Sequence, residues 1–224
     1  KISIRRFEKV TADVVASYIH GGGRIGVLVA GNGASDDAAK EALTNIAMQI
    51  AAMNPQYISR DEISADELAK MKEITIDSAL NDPFSLPKPV LSKLIEKAVA
   101  GVWSAEDVAI YEEKKSNMNF LPNFLSKEAK AQLAEIACAD KEEISGNKIF
   151  SGLVEGRISK QMKEICLLDQ VYVKAEDGKQ TVAAYLKSVN PALKIAKFVR
   201  FEVGEGMEKK NEDFAAEVAK QMNG

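Results

Sequence analysis

The chain has 224 residues, 46% of them hydrophobic, with 30 Lys and Arg against 33 Asp and Glu, one His and two Cys. Those figures exclude a disulfide scaffold, a thiolate or imidazole metal cluster, and a general nucleic-acid binder, which needs basic excess to neutralise phosphates. No apolar run approaches the ~20 residues that span a bilayer, and the opening stretch Lys1-Ile2-Ser3-Ile4-Arg5-Arg6 holds no apolar secretory core. The chain opens on Lys1 inside a strand-like run, so it reads as part of something longer.

The first elements are strand-like. Residues 2–10, 14–19 and 24–30 are short runs rich in β-branched side chains. Thr11-Ala12-Asp13 and Gly21-Gly22-Gly23 separate them, and a parallel crossover needs about a dozen residues, so an antiparallel meander is predicted. Val27-Leu28-Val29 is continuously apolar, which predicts a central strand covered on both faces. Gly31-Asn32-Gly33 turns the chain, and Ser35 or Asp36 caps a helix whose buried face is Ala39, Leu43, Ile46, Ala47 and Ile50. Pro55 closes it.

From Asp61 to Leu167 the texture is helical, charged and poor in glycine. Leu68, Met71 and Ile74 begin an amphipathic pattern that stops at Asn81-Asp82-Pro83. Pro83, Pro87 and Pro89 fall close together, which predicts a linker. Leu91, Leu94, Ile95, Ala98, Val99 and Val102 then form a helical stripe. Ser104 with Asp107 resembles a capping box, and Pro122 breaks a turn. Ser126 caps a helix carrying Leu133, Ile136 and Ala137, and Phe150, Leu153, Val154, Ile158, Met162 and Ile165 share one face of a long helix. This middle part reads as a helical insertion projecting from an α/β body. In the tail, residues 170–174 read as a strand and 181–189 as a helix. Residues 195–203 alternate as a half-buried strand, and Asp213 caps a helix over 214–222.

Candidate chemistry is sparse. Gly21-Gly22-Gly23-Arg24-Ile25-Gly26 fits the letters of a dinucleotide loop, but such a loop opens a helix, whose free amides hold the pyrophosphate. Here the last glycine enters a strand, so a glycine-rich hairpin is the favoured reading. His20, the lone histidine, has no local nucleophile or orienting acid and reads as a contact residue at a hairpin end. Cys166 reads as a small buried hydrophobe. Glu202, Glu205, Glu208 and Asp213 form an acidic stretch that reads as a solvated face. The residues alone describe a soluble α/β body with a helical insertion, a binding protein without an active site.

Three stretches say more. Ile4-Arg5-Arg6 with Tyr18-Ile19-His20-Gly21-Gly22-Gly23-Arg24-Ile25-Gly26-Val27-Leu28-Val29 resembles the core of bacterial elongation factor Ts. Val154-Glu155-Gly156-Arg157 is similar to the same family. So is Phe198-Val199-Arg200-Phe201-Glu202-Val203-Gly204-Glu205-Gly206-Met207-Glu208-Lys209, followed by Asp213-Phe214-Ala215-Ala216-Glu217-Val218. The resemblance implies an α+β fold: a small antiparallel three-stranded sheet packed with helices, a long helical coiled-coil-like insertion and a C-terminal helix. Residues 1–60 and 168–210 would form a core subdomain, 61–167 the coiled-coil region and 211–224 the terminal module.

The resemblance also implies a cytoplasmic exchange factor rather than an enzyme. It would promote GDP release from the GTPase elongation factor Tu, with no cofactor, metal, nucleic acid or membrane involved. Partner contacts would fall on His20, Gly21, Gly22, the strand around Val173, and Phe214 and Val218 of the terminal helix. Two departures stand out. The sequence lacks the family's Thr-Asp-Phe-Val motif and the subdomain that carries it, so weak binding and poor exchange are expected. Residues 81–146 have no counterpart in members with a short coiled coil. The alternative is a helical scaffolding or dimerisation module without exchange activity, forming a homodimer through the helical region.

Overall fold

The computed structural model describes residues 3–207. The expected helix over 214–222, with Phe214 and Val218, lies outside the described residues. Among those described, eight helices accompany one three-stranded antiparallel sheet, so the α+β class holds. Strand β1 (Val14–His20) pairs with β2 (Ile25–Asn32), which pairs in turn with β3 (Lys194–Glu202), leaving β2 central. Tyr18 lies opposite Val27 and Ala16 opposite Val29, while Val27 faces Arg200 on the other side.

Strand periodicity decides which side chains meet the core. Val14, Ala16, Val27 and Val29 are buried on one face. Helix α1 (Asp37–Met53) covers that face with Leu43, Ile46, Ala47 and Ile50, all fully buried. Of the two candidate caps, Asp36 is the one used: its carboxylate accepts from the Ala39 amide at 2.9 Å. Leu28 points the other way and is only half-buried. The apolar run on β2 therefore does not mark a strand covered on both faces. A small β-branched strand can carry apolar residues on a face that stays partly open. Gly33 makes the turn into α1 possible, with φ +94° and the Ala192 carbonyl oxygen only 2.1 Å from where a Cβ would sit.

Two predicted strands are absent. Residues 3–10 join no ladder. Side chains hold this segment instead: Arg5 donates to the Glu205 and Gly206 carbonyls, Arg6 pairs with Glu205 at 2.7 Å and lies over the Phe201 ring, and Lys197 pairs with Glu8. Ile4 and Phe7, which suggested a strand, are more than 80% exposed. Alternation alone cannot supply a free strand edge in the right register. Residues 170–174 form no strand: the Ala175 amide closes a turn on the Tyr172 carbonyl at 2.9 Å, and a second turn at Gly178, with φ +63°, precedes helix α8 (Val182–Val189). Tyr172 is buried there and stacks on Tyr185 with ring centroids 4.1 Å apart.

Contacts divide the chain into two units. The sheet, α1 and α8 belong to one, which runs to Asn54 and resumes at Tyr172; Pro55–Val171 is the other. The second unit holds α2 (Ala65–Leu80), α3 (Lys88–Gly101), α4 (Ala105–Lys114), α5 (Lys127–Ala139), α6 (Lys141–Ser145) and α7 (Lys148–Ile165). Its core joins Ile76 and Leu80 of α2 to Leu91, Leu94 and Ile95 of α3, Leu133 of α5 and Phe150 and Val154 of α7. Residues 81–146 thus fold as part of a small bundle with its own core. The proline-rich stretch is a packed corner rather than a linker: Pro83 and Leu86 are buried, and Pro89 sits in the first turn of α3. Proline costs no hydrogen bond in a first turn, where the amide would be unpaired anyway.

Asp107 ties two helix starts of this bundle together. Ser104 caps α4 by accepting from the Asp107 amide, and Ser126 caps α5 by accepting from the Ala129 amide at 2.9 Å. Both hydroxyls then donate to the Asp107 carboxylate at 2.8 Å, and the Ser126 amide adds a third bond at 2.9 Å. Burial pushes this carboxyl up, but the Ser126 amide and the two serine hydroxyls outweigh it and hold it below its ordinary range. A depressed pKa stabilises the fold above the unfolded carboxylate's pKa, and that contribution is lost as pH falls through the folded value. Asp107→Ala is expected to cost about 2–4 kcal/mol in denaturant unfolding near neutral pH. The gap between variant and parent should narrow in acid.

Candidate partner-binding surface

The site begins at an edge strand. In β1 the side chains at positions two apart share a face, so Tyr18 and His20 project together. His20 ends the strand in extended conformation and is exposed. The Tyr18 hydroxyl and His20 Nδ1 are 3.0 Å apart. Residues 21–24 then close the hairpin, with His20 opposite Ile25.

Gly21, Gly22 and Gly23 take φ values of +59°, +64° and +98°. Other L-residues pay roughly 1–2 kcal/mol for such a conformation. Nothing lies within 4 Å of a Cβ built at Gly22 or Gly23. Backbone conformation, not crowding, therefore demands glycine there, and the tip stands clear. The Arg24 amide donates to the Gly21 carbonyl at 3.4 Å. Gly26 lies inside β2, so no helix start faces the glycines and the hairpin reading of these letters holds.

Val173 is fixed by a different element of the same unit. Its amide donates to Gln49 Oε1 on α1 at 2.7 Å, and its side chain is 47% exposed. Beneath it, Asn45 of α1 donates to the Tyr185 hydroxyl at 2.9 Å and accepts from Lys174 at 2.7 Å. Burial, followed by the bond to Tyr185, raises the Tyr172 hydroxyl well above the usual phenol range, so it stays neutral. His20, Gly21 and Gly22 are thus one continuous tip, whereas Val173 sits on a separate loop anchored by α1. The strand expected around Val173 is a turn.

The acidic stretch is engaged in ion pairs and backbone bonds. Glu205 accepts from Arg6 and from the Glu202 amide, and Glu202 pairs with Arg200 at 2.8 Å. The bond from the Glu202 amide holds the Glu205 carboxyl below its ordinary range; burial opposes this, and Arg6 adds to it. Glu208 and Asp213 lie outside the described residues. Cys166 is fully buried, and burial pushes its thiol up, which makes it unreactive. No group of three His, Cys, Asp or Glu suited to a metal occurs among the described residues. Likewise no helix among them is long and apolar enough to cross a membrane. The Tyr18 partner of His20 was readable from their spacing on a strand. The Gln49 anchor of Val173 was not, because it joins residues far apart in sequence.

These elements define a class: an α+β protein whose sheet, backed by one helix, presents a glycine hairpin, with a helical unit inserted between strands β2 and β3. A family model described as "Elongation factor TS" matches residues 1–205, and the chain belongs to that family. The elongation factor Ts of Clostridioides difficile (strain 630) is 37% identical over 226 residues, covering 99% of this chain and 54% of the relative. That of Clostridium botulinum (strain Eklund 17B / Type B) is 36% identical over 228 residues, with 99% and 54% covered. That of Desulforamulus reducens is 35% identical over 216 residues, covering 93% of this chain and 71% of the relative. The chain thus spans about half the length of the clostridial relatives.

The hairpin geometry can be tested through its glycines. Gly22→Ala should destabilise by about 1 kcal/mol, from backbone strain alone. Gly33→Ala adds a collision with the Ala192 carbonyl and should cost clearly more in the same unfolding experiment.

Proposed function

We propose that this protein is a guanine-nucleotide exchange factor acting on elongation factor Tu. Family membership across residues 1–205 carries the reading. The partner contacts are His20, Gly21 and Gly22 at the hairpin tip, Val173 on its anchored loop, and Phe214 and Val218 of the terminal module. Residues 61–167 take the family's coiled-coil position, while 1–60 and 168–210 make up the core subdomain, with the cytoplasm as the place of action.

Such a factor makes and breaks no covalent bond. It binds the nucleotide-free GTPase more tightly than the nucleotide-bound one, and linkage makes the effect reciprocal: nucleotide weakens its binding by the same factor. Only contacts that differ between the two states of the partner drive release. The family's Thr-Asp-Phe-Val motif, directed at the magnesium and phosphate region, does not occur in these 224 residues. A protein of this sequence therefore binds the GTPase through contacts remote from the nucleotide, weakly, and exchanges poorly.

Stopped-flow release of a fluorescent GDP from elongation factor Tu tests this, with the Clostridioides difficile relative as control. Release stimulated at least about tenfold less than by the relative is expected. Equal stimulation would remove the requirement for the missing motif. His20→Ala should weaken binding of the GTPase about tenfold, the worth of one good hydrogen bond. Its melting temperature should stay unchanged, because the side chain is exposed; a large drop would make His20 structural.

A further inference from the structure

We propose that Tyr18 is a positioning residue for His20, holding its imidazole as the Nε2–H tautomer so that the hairpin tip offers a partner one pre-oriented donor. The proposal rests on the partner-contact reading above. Tyr18 and His20 lie on one face of the edge strand, and the phenol oxygen is 3.0 Å from Nδ1. Their ring centroids are 5.8 Å apart with planes tilted by 40°, so the pair meets through its polar atoms rather than by stacking. Tyr18 is half-buried and lies opposite the buried Val27 in the ladder register. His20 pairs with Ile25, the last pair before the glycines, and is exposed.

A neutral imidazole has one N–H and one acceptor nitrogen, and the partner of one nitrogen decides the state of the other. In the proposed arrangement the Tyr18 hydroxyl is the donor and Nδ1 the acceptor, so that the imidazole proton lies on Nε2. No other hydrogen bond reaches the imidazole among the described residues. Nε2–H is therefore available to a main-chain carbonyl or carboxylate of a bound protein. The bond also removes rotamers that an unsupported side chain beside three glycines would sample, which lowers the ordering cost of binding.

His20 is the only histidine in the chain, so its imidazole nitrogens are identified in a ¹⁵N–¹H long-range NMR spectrum without further assignment. The parent protein should show acceptor-like Nδ1 and protonated Nε2. Tyr18→Phe, which keeps the ring and removes only the hydroxyl, should move both nitrogens toward the averaged shifts of free imidazole. Affinity for elongation factor Tu should fall about three- to tenfold in Tyr18→Phe. The double variant with His20→Ala should bind no more weakly than His20→Ala alone. A protonated Nδ1, shifts unchanged by Tyr18→Phe, additive losses, or a tautomer change with unaltered affinity would each overturn the proposal. If the parent chain does not bind the GTPase at all, the partner-contact reading fails, and the spectrum still judges the Tyr18–His20 bond by itself.

Discussion

The sheet unit depends on one packing contact, the apolar face of α1 against the inner face of strands β1 and β2. Leu43, Ile46 and Ile50 lose all exposure in making it, and each such side chain contributes about 1.5–3 kcal/mol on full burial. A three-stranded sheet of this size has no stability of its own without a covered face. The same helix then positions polar groups. Gln49 holds the Val173 amide, Asn45 orders the tyrosine stack, and the Ala51 carbonyl accepts from Arg200 on β3. That last bond sets a cation at the helix C-terminus, where the macrodipole favours it. The two proposed contact regions among the described residues, the hairpin at the end of β1 and the Val173 loop, thus both lean on one helix.

The helical unit solves a different problem. Its sequence is richly charged, and no single helix in it is apolar all round, so each must find neighbours for one stripe. Six helices do so around one core that includes Trp103, whose indole N–H reaches the Ala129 carbonyl at 2.9 Å. Asp107 supplies the polar counterpart, joining the starts of α4 and α5 where unpaired amides would otherwise face a low-dielectric interior. Another start is secured locally by Ser64 and Glu67, which form a reciprocal capping box on α2. The bundle buries these stripes in a core of its own.

The hairpin tip works by conformation rather than by chemistry. Three left-handed glycines turn the chain in open space, and the strand before them delivers a single imidazole already tied to a phenol. On the proposed reading of the tip as a partner contact, this pre-organisation lowers the cost of binding, since fewer side chains are then ordered. Near Gly204, the Glu202 carboxylate pairs with Arg200, while that of Glu205 pairs with Arg6 and accepts from the Glu202 amide.

The amino-acid pattern by itself determined the helices, their caps and the core strands, because 3.6- and 2-residue periods and Ser or Asp caps are local signals. Asp36, Ser104, Ser126 and the stripe from Leu91 to Ala98 all do in the structure what their spacing implies. The glycine hairpin was equally legible, since a glycine run between two short strands leaves few other turns. The resemblance over Tyr18 to Val29 and Phe198 to Val203 placed the family on the same local evidence. Tertiary structure alone decided the rest. Residues 3–10 alternate like a strand but find no free edge in register, and the chain turns at 173–174 where the Ala175 amide bonds the Tyr172 carbonyl. The prolines near position 85 read as a linker until Leu86 and Pro83 are seen buried. Strand pairing and burial depend on which distant surface is available, and no window of neighbouring residues carries that information. The Tyr18–His20 bond lies between the two cases: period two on a strand puts the pair on one face, but only the folded edge strand brings their polar atoms to 3.0 Å.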